Sequence, residues 1–533
     1  MGFVTFRAVR ATAAHPSVAA VDLAAVADPV CRPTDPGMAS LSFIRGHPCA
    51  GATACVKRAF RWEGRGGPGR IPMQVASYLI SRVARGAAGH RRRGDMDKET
   101  PMSFEYPRIP DYRGREGTGT QAVDWEERIN MERLRAYRLR RTKDEMVRRQ
   151  VGALLLLNEW NIRYATSTWT AYWTAHSSGL RYALLPASLD APILYEQGEI
   201  GYHTRQIAPW VAKVKVAIGG AGWIGRTMGV EAHAMQRNKM VQQIADDVRD
   251  AGMGKELLAV DTWDLGLVEG LQREGLRVSP IGSDVMLEAR KIKNPDEVEC
   301  LRICTSIGDA IFGEVARAIR PGVKESELAG LAHHVAYKLG ARVYSGIGSV
   351  ASGAFAWPNP RDESDRMIRP RDLVYMDVYN VDYLGYKICY YRTFSCGKAS
   401  QQAKDDYRRA LDWLYGAMQI VRPGVTTREV AEKWPPGPQI WGDILVRHED
   451  QTAGSNWGHG IGLTLYEPPI IWRAVSLEHP MVIEEGMTFA LETQHGTPGS
   501  HGVRIEEMLH VTKSGVEILS KWPIDEITEV PLV

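Results

Sequence analysis

The chain is 533 residues long, 44% apolar and 24% charged, with a formal net charge of +3. That is the composition of a globular protein with room for two or three domains, and it excludes a wholly disordered or fibrous chain. No stretch approaches the roughly 18 unbroken apolar residues of a membrane span, because the best run, Val151 to Leu157, leads straight into Asn158 and Glu159.

Residues 1–95 hold fourteen Lys/Arg against five Asp/Glu, include Arg91-Arg92-Arg93, and show no helix or strand period. The rest of the chain is therefore acidic, and the positive total gives no ground for nucleic-acid binding. A targeting presequence and a basic arm are open readings of this segment. A disordered or mis-started basic extension over 1–100 fits its composition better. Seven cysteines, an odd number, do not make a disulfide framework, so free thiols and a cytoplasmic location are expected.

From Trp125, apolar residues at helical spacing with interleaved acids and bases predict a solvated surface helix. A buried strand over 151–157 follows, then strand-like stretches at 182–186 and 193–195 and helical patterns near 239–251 and 263–274. This alternation predicts an α/β domain over 101–285. Gly220-Ala221-Gly222-Trp223-Ile224-Gly225 matches a dinucleotide-loop pattern, but 226–230 reads as extended where that motif needs a helix, so a plain glycine-rich turn is expected. A second domain, 286–533, is announced by Asn294-Pro295-Asp296, an X-Pro break with an acid in the first helical turn. Within it, Arg320-Pro321-Gly322-Val323 before Glu327-Leu328-Ala329 is echoed by Arg422-Pro423-Gly424-Val425 before Glu429-Val430-Ala431. The echo predicts a duplicated unit with a site between its halves.

Chemistry concentrates in four segments of this domain. Asp377 and Glu492 each follow an apolar run, Glu506 alternates with Val503 and Ile505, and His459 lies between Gly458 and Gly460. From the residues alone, these groups are either solvated strand ends or ligands of a shared borderline-hard divalent ion such as Mn, Fe, Co or Zn.

The order and wording of these segments resemble the pita-bread metalloenzymes, the family of methionine aminopeptidase, prolidase and creatinase, over roughly residues 125–533. The resemblance implies a creatinase-like α/β N-terminal domain and an α+β pita-bread catalytic domain on a duplicated, curved antiparallel sheet. It also implies an Asp, Asp, His, Glu, Glu set holding two ions. Carried over, four of the five are Asp377, His459, Glu492 and Glu506. Cys389 stands where the second Asp belongs, before Arg392-Thr393. No histidine follows Ser352-Gly353, where Trp357 comes instead, and the family's second histidine is Tyr466, followed by Glu467. Loss of the bridging carboxylate favours one ion over two, with Cys389 either a thiolate ligand that selects Zn or Fe or a small buried filler in a site that binds no ion. Restoring Asp at 389 is expected to restore the second ion.

Asn161-Ile162-Arg163-Tyr164 and the Trp169/Trp173/His176 cluster most resemble the dimethylsulfoniopropionate (DMSP) lyase branch. Trp169, Tyr172, Trp173, His176 and Trp357 are either core or dimer-interface packing or the walls of a pocket for a zwitterionic small molecule. Tyr466, Glu467 and Arg392 are the candidate catalytic groups. The expectation is a homodimeric metallohydrolase cleaving a C–N bond of a small polar substrate. The alternatives are a DMSP-like C–S lyase and a binding module that has lost its chemistry.

Overall fold

The apolar run at 151–157 forms β1 (Ala153–Leu156), all of whose side chains are buried. Burial on both faces is what a central strand covered by helices requires. This computed structural model describes residues 129–169, 179–262, 264–343, 346–358, 361–441 and 456–532. The extension over 1–100, and with it Tyr172, Trp173 and His176, lies outside the described residues.

Strands β2 (Tyr182–Pro186), β3 (Ile193–Glu196), β4 (Lys213–Val216), β5 (Leu257–Val260) and β6 (Arg277–Ser279) complete a six-stranded mixed sheet in the order β4-β3-β2-β1-β5-β6. Helices α1 (Met131–Arg148) and α2 (Glu159–Thr166) flank β1 in sequence, and α3 (Val230–Asp250) and α4 (Leu265–Arg273) follow. Leu155, Tyr182 and Leu184 pack with Met240, Ile244 and Leu271 of α3 and α4. Leu154, Leu156 and Leu185 pack on the other face with Met146 of α1. Residues 226–230, expected to be extended, instead close a short helix, Gly222–Arg226, and open α3. The glycines before α3 serve close packing, since a Cβ on Gly220 would lie 2.6 Å from the Arg237 Cα.

Helix α1 is more than a solvated surface helix. Arg133 grips Asp296 through Nε at 2.7 Å and Nη2 at 2.8 Å, and buried Arg138 meets the Tyr386 hydroxyl, which donates to Glu297 at 2.6 Å. Asp296 and Glu297 open α6 (Pro295–Ala318), whose capping box on Asn294 confirms the predicted helix start. Helix α5 (Gly282–Lys291), which contains residue 286, leads into it.

The duplicated unit is visible in the backbone. Gly322 and Gly424 adopt φ of 90° and 91°, where glycine is unstrained. Their N–H groups bond Ile368 O and Ile483 O, both at 2.9 Å. Helices α7 (Glu325–Lys338) and α8 (Gln401–Met418) flank the first of two five-stranded sheets in sequence, and α9 (Thr427–Ala431) follows the second glycine. The first sheet runs β16-β10-β9-β7, with β8 also on β9; its members are β7 (Arg342–Val343), β8 (Val350–Ser352), β9 (Leu373–Tyr383) and β10 (Tyr386–Cys396), closed by β16 (Thr528–Val530). The second, in the order β12-β11-β13-β14-β15, is built of β11 (Asn456–Gly460), β12 (Glu467–Trp472), β13 (Thr488–Thr497), β14 (His501–Val511) and β15 (Val516–Ile518). The architecture is that of a creatinase-like α/β domain followed by a pita-bread domain. The half-sheets meet where Thr393 Oγ1 of β10 receives the Arg504 N–H of β14 at 2.9 Å and donates to the Arg504 carbonyl at 2.8 Å. Among the described residues, no helix is long and apolar enough to cross a membrane.

Candidate metal centre

Strand alternation brings the chemistry onto one face. In the β9–β10 ladder Asp377 lies opposite Tyr391 and Tyr379 opposite Cys389, so all four share a face. On β11, β13 and β14, His459 pairs with Ala490 and Glu492 with Glu506, which puts His459, Glu492 and Glu506 on one face as well. Asp377 and Glu492, expected at strand ends, sit in strand interiors, where the ladder fixes their direction.

Cys389, His459 and Glu506 converge, with ligand atoms all within 4.8 Å of one another and all three residues buried. Asp377 and Glu492 border this floor and are partly open to solvent. Neither Glu506 oxygen receives a nitrogen or oxygen donor, and Asp377 Oδ1 is likewise unpartnered; the Cys389 thiol is the group turned toward Glu506. Buried acceptors without donors are costly. A divalent cation would satisfy them, and the donor set of one thiol, one imidazole and one carboxylate suits such an ion.

The electrostatics agree. Burial, and then Glu492 and Asp377, holds the Glu506 carboxyl well above its ordinary range. Burial and Glu492 push Asp377 up to about 7, and burial pushes Glu492 up to about 7. The Arg504 guanidinium, stacked over Tyr375 at 5.1 Å and Tyr391 at 5.7 Å, partly offsets the charge of both. Burial lowers His459 to about 4, against backbone contacts with Gly460 and Leu465 that favour its charged form, and its Nδ1 faces the Gly460 carbonyl at 3.1 Å. Burial and Glu506 raise the Cys389 thiol, which a coordinated ion would deprotonate.

These carboxyls have higher pKa values folded than the unfolded range near 4, so the native chain without metal holds more protons and loses stability as pH rises through about 7. His459, held low, works in the opposite sense, one group against three. The gain in Tm on loading Zn or Mn is therefore expected to grow from about pH 5 to about pH 8. Thermal melts of chelator-treated and metal-loaded protein measure it, and a gain that is flat or shrinking with pH would contradict the site.

The remaining predicted residues fall in three places. Tyr466 stacks on His459 with ring centroids 4.2 Å apart and is 56% exposed, so it borders the cleft. Its phenol is raised by burial and then by the surrounding carboxylates, which suits it to donating a hydrogen bond. Glu467 and Arg392 are committed elsewhere. Glu467 is buried between Lys293 at 2.8 Å and Arg290 at 3.2 Å, which outweigh the burial penalty and keep its carboxyl below the ordinary range. Arg392 is buried, donates to the Glu506 and Tyr391 carbonyls, and pairs with Glu507 at 3.1 Å. It braces the strand that carries Glu506 and does not face the cleft chemistry. Trp357 is buried against Trp441, with ring centroids 4.7 Å apart, and so is packing rather than an open pocket wall. Trp169 stacks on Trp160 at 5.2 Å beneath Arg163, whose guanidinium reaches Leu384 O at the β9–β10 turn. Two residues at the site were not singled out from sequence, Tyr391 and Arg504. Tyr391, two positions from Cys389, was within reach of the period-two rule.

Residues 299–513 match metallopeptidase family M24. Among similar proteins, "Probable dipeptidase PepE" of Mycobacterium bovis is 28% identical over 270 residues, covering 49% of this chain and 66% of that protein. The chain thus spans just under two thirds of that relative. The dimethylsulfoniopropionate lyase DddP of Roseovarius nubinhibens is 23% identical over 418 residues, covering 74% of this chain and 87% of the lyase. An Xaa-Pro dipeptidase structure from Bacillus anthracis superposes with a TM-score of 0.58 at 24% identity, covering 74% of this chain and 99% of that one, a likeness that speaks to the fold.

Proposed function

We propose, from the match of residues 299–513 to metallopeptidase family M24, that this protein is a metal-dependent hydrolase acting on a C–N bond of a small polar or zwitterionic molecule, not a general aminopeptidase. The observation that carries the reading is the buried convergence of Cys389, His459 and Glu506 with carboxylate oxygens left unpartnered. Those three residues would hold one divalent ion, which supplies Lewis acidity when bound. Tyr466, exposed over His459, offers a phenol proton to an oxygen of the substrate. Asp377 and Glu492, at the open side of the floor, are the carboxylates placed to take and return a proton. The absence of histidine after Ser352-Gly353 and at 466 removes the groups that hold a scissile amide in the resembling family, which speaks against ordinary peptide substrates.

A C–S lyase is the second reading, favoured by the DMSP lyase match running through both domains. The protein would act as a homodimer in the cytoplasm, without nucleic-acid or membrane partners. Elemental analysis of the purified chain, light scattering, and turnover of prolyl dipeptides, small zwitterionic amidines and DMSP test the set. Ammonia or amine release with bound metal supports the hydrolase, and dimethylsulfide release supports the lyase. A metal-free chain that turns over none of them leaves the binding module.

A further inference from the structure

Tyr466 stacks on His459 although it is 56% exposed, so burial alone does not hold the ring there. The loop that carries it, residues 461–466 between β11 and β12, does that work. The same loop meets the centre twice more. The Leu465 backbone contacts the His459 imidazole, and the Gly462 carbonyl accepts the Lys387 N–H at 2.7 Å, on the strand that carries Cys389. Thr464 stands half-buried in the middle of the loop. Its hydroxyl lies 2.9 Å from the Tyr466 carbonyl and 3.1 Å from Glu467 Oε1, and its N–H donates to the same Glu467 oxygen at 3.2 Å. The hydroxyl oxygen in turn receives Arg290 Nη2 at 3.3 Å.

Arg290 extends this turn into a longer chain of contacts. It is buried near the end of α5, and its other nitrogens reach Glu467 Oε1 at 3.2 Å and the Asn161 side-chain oxygen. Asn161 donates to Asp261 Oδ2 at 2.8 Å, and Asp261 Oδ1 receives the Leu157 N–H, just past β1, at 2.6 Å. A run of paired polar side chains thus leads from the end of β1 to the loop over His459. The guanidinium holds its N–H groups in fixed directions, so each partner it grips is oriented as well as attracted.

We infer that Thr464 is a positioning residue for the metal centre: anchored by Arg290, its hydroxyl fixes the loop that orients His459. This rests on the metal reading of Cys389, His459 and Glu506. Lys293 plays no part in the anchoring, because Arg290 keeps its hold on both Thr464 and Glu467 without it.

Cobalt(II) titration of the full chain, followed by visible absorption, tests it. Thr464→Val keeps the shape of the side chain and removes the hydroxyl at a half-buried position. It should weaken cobalt binding about tenfold, at the low end for outer partners of metal ligands, and move the visible bands of the bound ion. Thr464→Ser should return both to the values of the unsubstituted chain. A hydroxyl that serves only the fold would lower the urea midpoint of the valine variant and leave affinity and bands alone, which overturns the inference. A serine variant that behaves like the valine variant overturns it as well. No cobalt in the unsubstituted chain overturns the metal reading itself, and the inference with it.

Discussion

Replacing Glu506 with glutamine is expected to weaken metal binding by more than about 100-fold and, in the chelated protein, to raise stability by about 1–3 kcal/mol. The opposite signs follow from one fact: both Glu506 oxygens are buried without a nitrogen or oxygen donor and face the carboxylates of Asp377 and Glu492. Without an ion, this side chain is a source of repulsion. An amide removes the charge and offers two N–H donors to the neighbouring carboxylates. Isothermal titration with Zn or Mn measures the first effect, and urea unfolding in chelator measures the second. Retained metal affinity, or a less stable chelated variant, would show that Glu506 serves packing rather than an ion.

Lys293→Met should cost about 3–5 kcal/mol while leaving bound metal unchanged. Lys293 and Glu467 are 1% and 0% exposed in their side chains, and Arg290 is the other cation on that carboxylate. Removing one cation leaves charge in a dry interior. In the parent chain Glu467 is held below its unfolded pKa, so it contributes stability above about pH 4.3 that is lost as acid protonates it. In the variant that contribution shrinks, so the deficit should narrow as pH falls. Urea unfolding at neutral and mildly acidic pH, with elemental analysis alongside, checks both parts. A metal-depleted variant of normal stability would return Glu467 to the catalytic role first considered for it.

Much of the centre was legible because a strand has a period of two. The alternation around Glu506 and the apolar runs before Asp377 and Glu492 say which side chains share a face. The repeated Arg-Pro-Gly-Val said where two halves would meet. What local pattern does not encode is the partner of a buried charge. Nothing in the sequence near Glu467 points to Lys293, or near Arg392 to Glu507, because those pairs close over 174 and 115 residues. For the same reason α1 read as a surface helix, since Asp296 and Glu297, the partners of exposed Arg133 and buried Arg138, lie far along the chain. The glycine-rich loop was judged by its wording, whereas the nearness of Arg237 decides why those glycines are there.

The join at Thr393 and Arg504 has a further consequence. Cys389 belongs to one half of the molecule, and His459 and Glu506 belong to the other, so the grip on a cation is a jaw whose hinge line is that join. A slight yawning or clenching of the halves would alter the bite on every ligand together. The ionic radius the jaw accepts is thus set as much by what fastens its hinge as by the teeth that touch the ion.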